Sequence, residues 1–136
     1  MSYAVAAALQ AGVYQVLRDD AGVGDLVGNR IYDAVPKGRL PDLYIALGPE
    51  KALDASDKTG RGAWHEFAVS VISDDAGFQG AKEVSAAVCD ALIDADMALE
   101  RGRLVALNFK RAQAQREKAG RRRVDLIFRA RVEDDG

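Results

Sequence analysis

The sequence predicts an α+β fold: a small mixed, mainly antiparallel sheet of about four to five strands, an N-terminal helix and a central helix packed on it, and a long C-terminal β-hairpin. Residues 62–73 alternate with a period of two, which is typical of a strand with one face on a core. Residues 78–95 change to a period of three to four, as in an amphipathic helix that covers a sheet. Two further period-two stretches, residues 103–112 and 121–132, predict the hairpin, with its turn near Ala119 and Gly120.

The first half of the chain predicts the remaining elements. Residues 3–18 place apolar side chains on one helical stripe, and the next segment, residues 19–29, contains three glycines and is interpreted as a connection. Residues 30–35 predict a short strand, and the apolar run 43–47 predicts a buried one. Residues 49–61 are polar, so we expect a loop there, of a length that is usually functional or mobile.

The last predicted strand has two chemically different faces. Its apolar side chains are Val124, Leu126, Phe128 and Ala130, and the opposite face carries Arg121, Arg123, Asp125, Ile127, Arg129 and Arg131. Long charged hairpin arms have too little to pack on within one small subunit. The pattern therefore indicates a partner.

Length and composition bound the class of protein. The chain has 136 residues, of which 49% are hydrophobic, so we expect a single domain over residues 1–136. The lone Cys89 is interpreted as a packing residue, and one cysteine allows no disulfide within the chain. We expect neither a signal peptide nor a membrane span, and therefore synthesis in a reducing cytoplasm.

The net charge of −2 conceals an uneven distribution. Between residues 101 and 131 there are eleven Lys and Arg against two acidic residues, a balance of +9, and the rest of the chain has a balance of −11. Such a molecule can pair with copies of itself or with a polyanion. Composition alone does not choose between them.

Residues capable of catalysis are sparse. His65 and Glu66 are adjacent in a predicted strand and point to opposite faces, so they do not form a dyad. Asp90 and Asp94 share the polar face of the central helix, where solvation explains them. No catalytic, metal-binding or nucleotide-binding motif is present. We therefore expect a protein that is not an enzyme and that has no cofactor and no metal.

The order of these landmarks resembles the tail terminators, a family of tail-completion proteins from long-tailed bacteriophages and phage-derived gene-transfer particles. The similarity lies in the order and spacing of ordinary segments, since no single motif is specific. The segments are VGNRIY (27–32), PDLYIALG (41–48), DKTG (57–60), HEFAVSVIS (65–73), AKEVSAAVCDAL (81–92), RLVALNF (103–109) and RRVDLIFRAR (122–131).

The resemblance implies a structural virion protein of the tail or neck, made in the host bacterial cytoplasm. Its members form a homo-hexameric ring on the head-proximal end of the tail tube, end tube polymerisation and join the tail to the head connector. The implied partners are other copies, the tail tube protein, the head–tail connector protein and DNA, which passes through the channel without sequence-specific binding. No membrane is involved.

Two sets of residues are candidate contacts in such a ring. We expect Arg121, Arg123, Arg129 and Arg131 to lie at the subunit interface, with acidic partners from the adjacent copy, rather than along the channel, because tight cationic contacts do not help a genome to slide. The predicted loop would contact the tube or a neighbour through Asp54, Asp57, Lys58, Thr59 and Arg61.

A nucleic-acid-binding module that uses the C-terminal arginine-rich strand is the alternative function. The overall acidity, the 7% aromatic content and the lack of a recognisable reading helix argue against it.

Overall fold

The computed structural model describes residues 3–54, 62–93 and 95–134. Within these ranges the chain forms three helices and five strands, which confirms the predicted α+β class. The elements are α1 (Ala6–Asp19), α2 (Ala21–Val27), β1 (Ile31–Tyr32), β2 (Leu43–Asp54), β3 (Gly62–Ser73), α3 (Gln79–Ile93), β4 (Arg103–Arg116) and β5 (Arg122–Glu133).

The strands form one mixed sheet in the order β1, β2, β3, β5, β4. β1 is parallel to β2, and every other neighbouring pair is antiparallel. β3 is the central strand and pairs with β5 along its whole length. The two edges of the sheet differ greatly, because β1 has two residues and β4 has fourteen.

The helices pack on one face of the sheet and bury a single apolar core. Odd-numbered residues of β3 and even-numbered residues of β5 point into it, as the period-two pattern predicts. Phe128 is fully buried at its centre, stacked on Phe67 with ring centroids 5.6 Å apart. The helices contribute Leu9, Val13, Leu17, Val23, Val27, Ala81, Val84, Val88 and Leu92.

The predicted connection over residues 19–29 is wrong, because α2 lies within it. The Asp20 carboxylate accepts a hydrogen bond of 2.9 Å from the backbone N–H of Val23 and so caps the helix. Val23 and Val27, one helical turn apart, are fully buried. Burial of these two side chains offsets the conformational cost of the glycines. Gly28 then ends the helix with a φ of 59°.

The predicted loop over residues 49–61 is wrong in its first part, because β2 continues to Asp54. A bulge at Gly48 and Pro49 interrupts the pairing with β3, which resumes at Glu50. The bulge hides the strand from pattern analysis, since it shifts the alternation and contains a proline. A Cβ atom on Gly48 would lie 3.2 Å from that of Ala68, so the close approach of the two strands favours glycine.

The predicted boundaries at the two edges also differ from the structure. β1 is shorter than the prediction for residues 30–35, and the chain is exposed from residue 33 to residue 39. β4 is longer than predicted, because it continues beyond residue 112 to Arg116. The turn follows at residues 117–121, where Gly120 has a φ of 88° and the Glu117 N–H donates to the Arg121 carbonyl at 2.8 Å.

Candidate assembly surfaces

The face of the sheet opposite the helices carries the odd-numbered side chains of β5. These residues are half-buried and alternate with the core residues of the same strand, which confirms that the arginine-rich face points away from the core. The structure gives the four candidate arginines of this region three different environments.

Arg121 is held within the subunit at the turn end of the hairpin, directly before β5. Its Nε lies 3.2 Å from Asp74 Oδ1, and its Nη2 donates to the Pro41 carbonyl at 3.0 Å. Its guanidinium also lies 5.6 Å from the centroid of the Tyr44 ring. These contacts tie the hairpin to the residues that flank β2 and β3.

Arg123 belongs to a polar cluster in the middle of the same face. Its Nε donates to Asp125 Oδ1 at 2.8 Å, and its Nη2 donates to Ser70 Oγ at 3.1 Å. The Ser70 hydroxyl in turn donates to Asp125 at 2.6 Å, and Glu117 lies 3.7 Å from the Arg123 guanidinium. The acidic partners that we expected from an adjacent copy are therefore present inside the subunit for this arginine.

Arg129 and Arg131 lie against the ring of Trp64. Their guanidinium carbons are 4.1 Å and 5.4 Å from its centroid. A tryptophan face attracts a cation, and stacking leaves the edge of a guanidinium able to donate hydrogen bonds. These two arginines and Trp64 form a half-buried patch, which we call the Trp64 patch.

Glu66 and Lys110 form an ion pair beside this patch. The hydrogen bond from Lys110 is the largest effect and lowers the pKa of Glu66. Desolvation raises this pKa, and the charges of Lys110, Lys51 and Arg129 lower it further. The carboxylate is therefore the favoured form of Glu66, and the patch is flanked by both signs of charge.

The loop candidates are placed only in part. Asp54 is the last residue of β2, and its side chain lies outside the described residues, as do Asp57, Lys58, Thr59 and Arg61.

His65 is a buried packing residue on the core side of β3, with no exposed surface. Its Nδ1 lies 3.4 Å from a Glu50 carboxylate oxygen, and its ring centroid is 6.1 Å from that of Tyr3. The Tyr3 hydroxyl donates to Glu50, and this bond, together with the negative charge, raises the pKa of Tyr3. Sequence analysis missed this cluster because Glu50 was assigned to a loop. A histidine without exposed surface cannot contact a substrate. Glu66 lies on the opposite face of the sheet, as predicted, so the two side chains do not form a dyad.

A groove of about 780 Å³ runs between α1 and the β1 end of the sheet. It lies on the same side as the helices. It is lined by Tyr3, Ala6, Ala7, Gln10, Ala11, Tyr14, Ile31, Tyr32, Asp33 and Leu47. Small alanine side chains along α1 leave this space open.

Within the described ranges, no three His, Cys, Asp or Glu side chains are close enough to hold a metal ion. None of the helices described is long and apolar enough to cross a membrane.

Comparison with known proteins gave a matching family and similar solved structures, among them a component of a virus-like particle. The model of the family described as "Tail completion protein gp17" matches residues 11–133. A chain in the solved structure "Virion of native gene transfer agent (GTA) particle" is 63% identical to this chain, with a TM-score of 0.91. The match covers 97% of this chain and 99% of that one. No match was found among curated proteins.

Proposed function

Because the chain belongs to the tail completion protein gp17 family, we propose that it caps the head-proximal end of the tail tube as a ring of six copies. The protein is a structural component of a phage-type tail. The observation that carries the proposal is the 63% identity, over nearly the whole of both chains, to a component of a gene transfer agent virion. The cap ends tube polymerisation, and each copy acts as one tail-terminator-like domain.

The position in the tail or neck requires two partners besides other copies. One end of the ring contacts the tail tube protein, and the other contacts the head–tail connector protein. DNA passes through the ring without sequence-specific contacts. None of these contacts requires catalysis, and we propose that the chain has no enzymatic activity.

Within the ring, we assign the Trp64 patch to contact between subunits. Arg121 and Arg123 already have acidic partners in their own subunit, so their main contribution is to hold the hairpin in place. The guanidinium of Arg129 stacks 4.1 Å from the centroid of the Trp64 ring, and stacking leaves its edge able to donate hydrogen bonds to an acidic surface of a neighbour.

Removal of the gene from a producing strain tests the cap. Without the protein, we expect tail tubes of uncontrolled length and heads that lack tails, because nothing stops the tube or presents a surface to the connector. Electron microscopy of negatively stained lysates measures both, and expression of the chain from a plasmid should restore joined particles. Tails of normal length joined to heads in the deletion strain would contradict the proposal.

DNA binding by the Trp64 patch is the second candidate function, because arginines beside an aromatic ring also suit single-stranded nucleic acid. Titration of the purified chain with labelled DNA across a salt series distinguishes it. Binding that weakens steeply with salt supports a nucleic-acid module.

A further inference from the structure

The edge formed by β4 is long and open. In the part of the chain that the structure describes, β4 pairs only with β5. Its residues 108–116 are all exposed, and Val105 and Phe109 expose 46% and 45% of their surfaces. An exposed edge strand presents a row of unpaired N–H and C=O groups that another strand can use.

The other end of the sheet is open over part of its length. β1 pairs only with Ile45 and Ala46 of β2. Along Glu50–Leu53, the edge of β2 that faces away from β3 therefore has no described strand beside it. Lys51 and Leu53 are exposed there. Pro49 lies in the bulge, and a proline within a strand is typical of an edge strand. One sheet therefore has two unlike free edges, which face in opposite directions.

We propose that these two edges join head to tail, so that β4 of one copy pairs with the open half of β2 of the next copy and the sheet continues around the ring. The inference rests on the proposed ring and adds a second contact between subunits, at the edges of the sheet. The strand directions fit, because three successive antiparallel pairings make β4 run opposite to β2. Rotation about a ring axis then brings β4 beside an oppositely directed β2, which is an antiparallel pair.

The pairing register across the sheet shows which residues meet. We call residues that are paired from strand to strand across the sheet a row. In a closed ring, neighbouring copies lie at the same height along the ring axis. If the strands run along that axis, the two ends of the same row meet at the joint. Leu53 shares a row with Ala106 through Trp64 and Arg131. Glu50 shares a row with Phe109 through Phe67 and Phe128.

An apolar side chain on one edge matches a groove beside the other. Phe109 points to the helix side, since its ring meets Phe128 edge-on at 5.9 Å, and almost half of its surface is exposed. The groove between α1 and β1 lies on that same side and next to the row of Glu50, because Tyr3 both lines it and contacts Glu50. In the ring, Phe109 of one copy fills the groove of the next.

The charges along the two edges are also complementary. Arg111 and Arg116 are exposed and make no ion pair within the described part of the chain. Arg116 shares a row with Leu43, which Asp42 directly precedes. Asp33 directly follows β1, and its position corresponds to the row of Ala112, the residue after Arg111 in β4. Each exposed arginine thus meets a carboxylate of the neighbouring copy.

Substitution in the groove tests the joint without touching the strands. Ala11→Arg fills the groove from the exposed side of α1, and we expect loss of rings and of capped tails with an unchanged melting temperature. The matched control is Ala86→Arg on the exposed side of α3, which should assemble normally. Normal assembly of the Ala11→Arg variant would overturn the inference.

Cysteine pairs test the register. In a Cys89→Ala background, Leu53→Cys combined with Ala106→Cys should form disulfides between copies in assembled rings, because directly opposite residues are close enough to bridge. Leu53→Cys with Ala114→Cys is the control, and it should remain uncrosslinked. Rings in which the matched pair does not crosslink would overturn the inference and leave the proposed cap intact. Crosslinking by Ala106→Cys alone would show two β4 edges meeting each other, which also overturns it. A parent chain that forms no ring and caps no tail overturns both proposals.

Discussion

Ser70 is fully buried on the face of the sheet that carries no helix, and its hydroxyl relies on two charged neighbours. Asp125 accepts from this hydroxyl and from Arg123, so it is the acceptor that both groups share. The sequence placed Arg123 and Asp125 on one face but did not show that they satisfy each other. Adjacent positions on one strand face lie within reach of long side chains, and Ser70 comes from the partner strand, which only the register identifies.

Asp125→Ala should destabilise the subunit by about 1–3 kcal/mol, because it removes the acceptor of a buried hydroxyl and leaves Arg123 with fewer partners. Urea denaturation of the purified chain measures the change. Gln113→Ala, at the exposed position opposite Asp125 in β4, is the control and should change stability by less than about 0.5 kcal/mol. Equal stability of the parent and the Asp125 variant would show that the cluster does not stabilise the fold.

The ion pair of Glu66 and Lys110 should make stability depend on pH on the acid side. The pKa of Glu66 is lowered in the folded chain, so the pair stabilises the fold above the ordinary glutamate pKa of 4.5 and loses its effect as the pH falls through the lowered value. Glu66→Gln should reduce the acid-side fall of the melting temperature, whereas Glu83→Gln on the exposed side of α3 should not. Identical pH profiles for Glu66→Gln and the parent would contradict this assignment.

At the level of elements, long periodic segments could be predicted, because their pattern indicates which side is buried. They are the central strand and helix, the N-terminal helix and the two faces of β5. α2 and the second half of β2 could not. α2 is short and contains glycines, so only the burial of Val23 and Val27 against other elements stabilises it. β2 contains a bulge at which the alternation changes phase. The groove and the open edges depend on sheet order, which no local pattern encodes.

Asp20→Ala should destabilise the fold by about 1 kcal/mol, because it leaves the Val23 N–H at the start of α2 without its side-chain acceptor. Asp25→Ala removes the same charge from an exposed position of the same helix and is the control. Denaturant midpoints measure both. A loss for Asp25→Ala as large as that for Asp20→Ala would assign the effect to charge rather than to the cap.

At the level of the whole molecule, substitutions in the Trp64 patch distinguish a role in assembly from a role in DNA binding. The double change of Arg129→Gln and Arg131→Gln should weaken ring or cap formation, because it removes two partly shielded cations from the proposed contact. Lys82→Gln on α3 removes an exposed cation far from the patch and should have no effect. Light scattering and tail-capping assays measure assembly, and DNA titration at several salt concentrations runs in parallel. Intact assembly together with a salt-dependent loss of DNA binding would favour the nucleic-acid function.

The sequence of β4 has a consequence for subunits that are not yet in a particle. The strand contains four cationic residues and no acidic one. Two free subunits that approached through their β4 edges would therefore bring cation against cation, and this repulsion disfavours a symmetric dead-end dimer. The same edge attracts the β1 and β2 edge of another copy, where Asp33 and Asp42 lie. Electrostatic attraction therefore favours head-to-tail association of two subunits. Because each such encounter leaves one edge of each kind free, growth does not stop at a pair and continues until the first and last copies join their free edges.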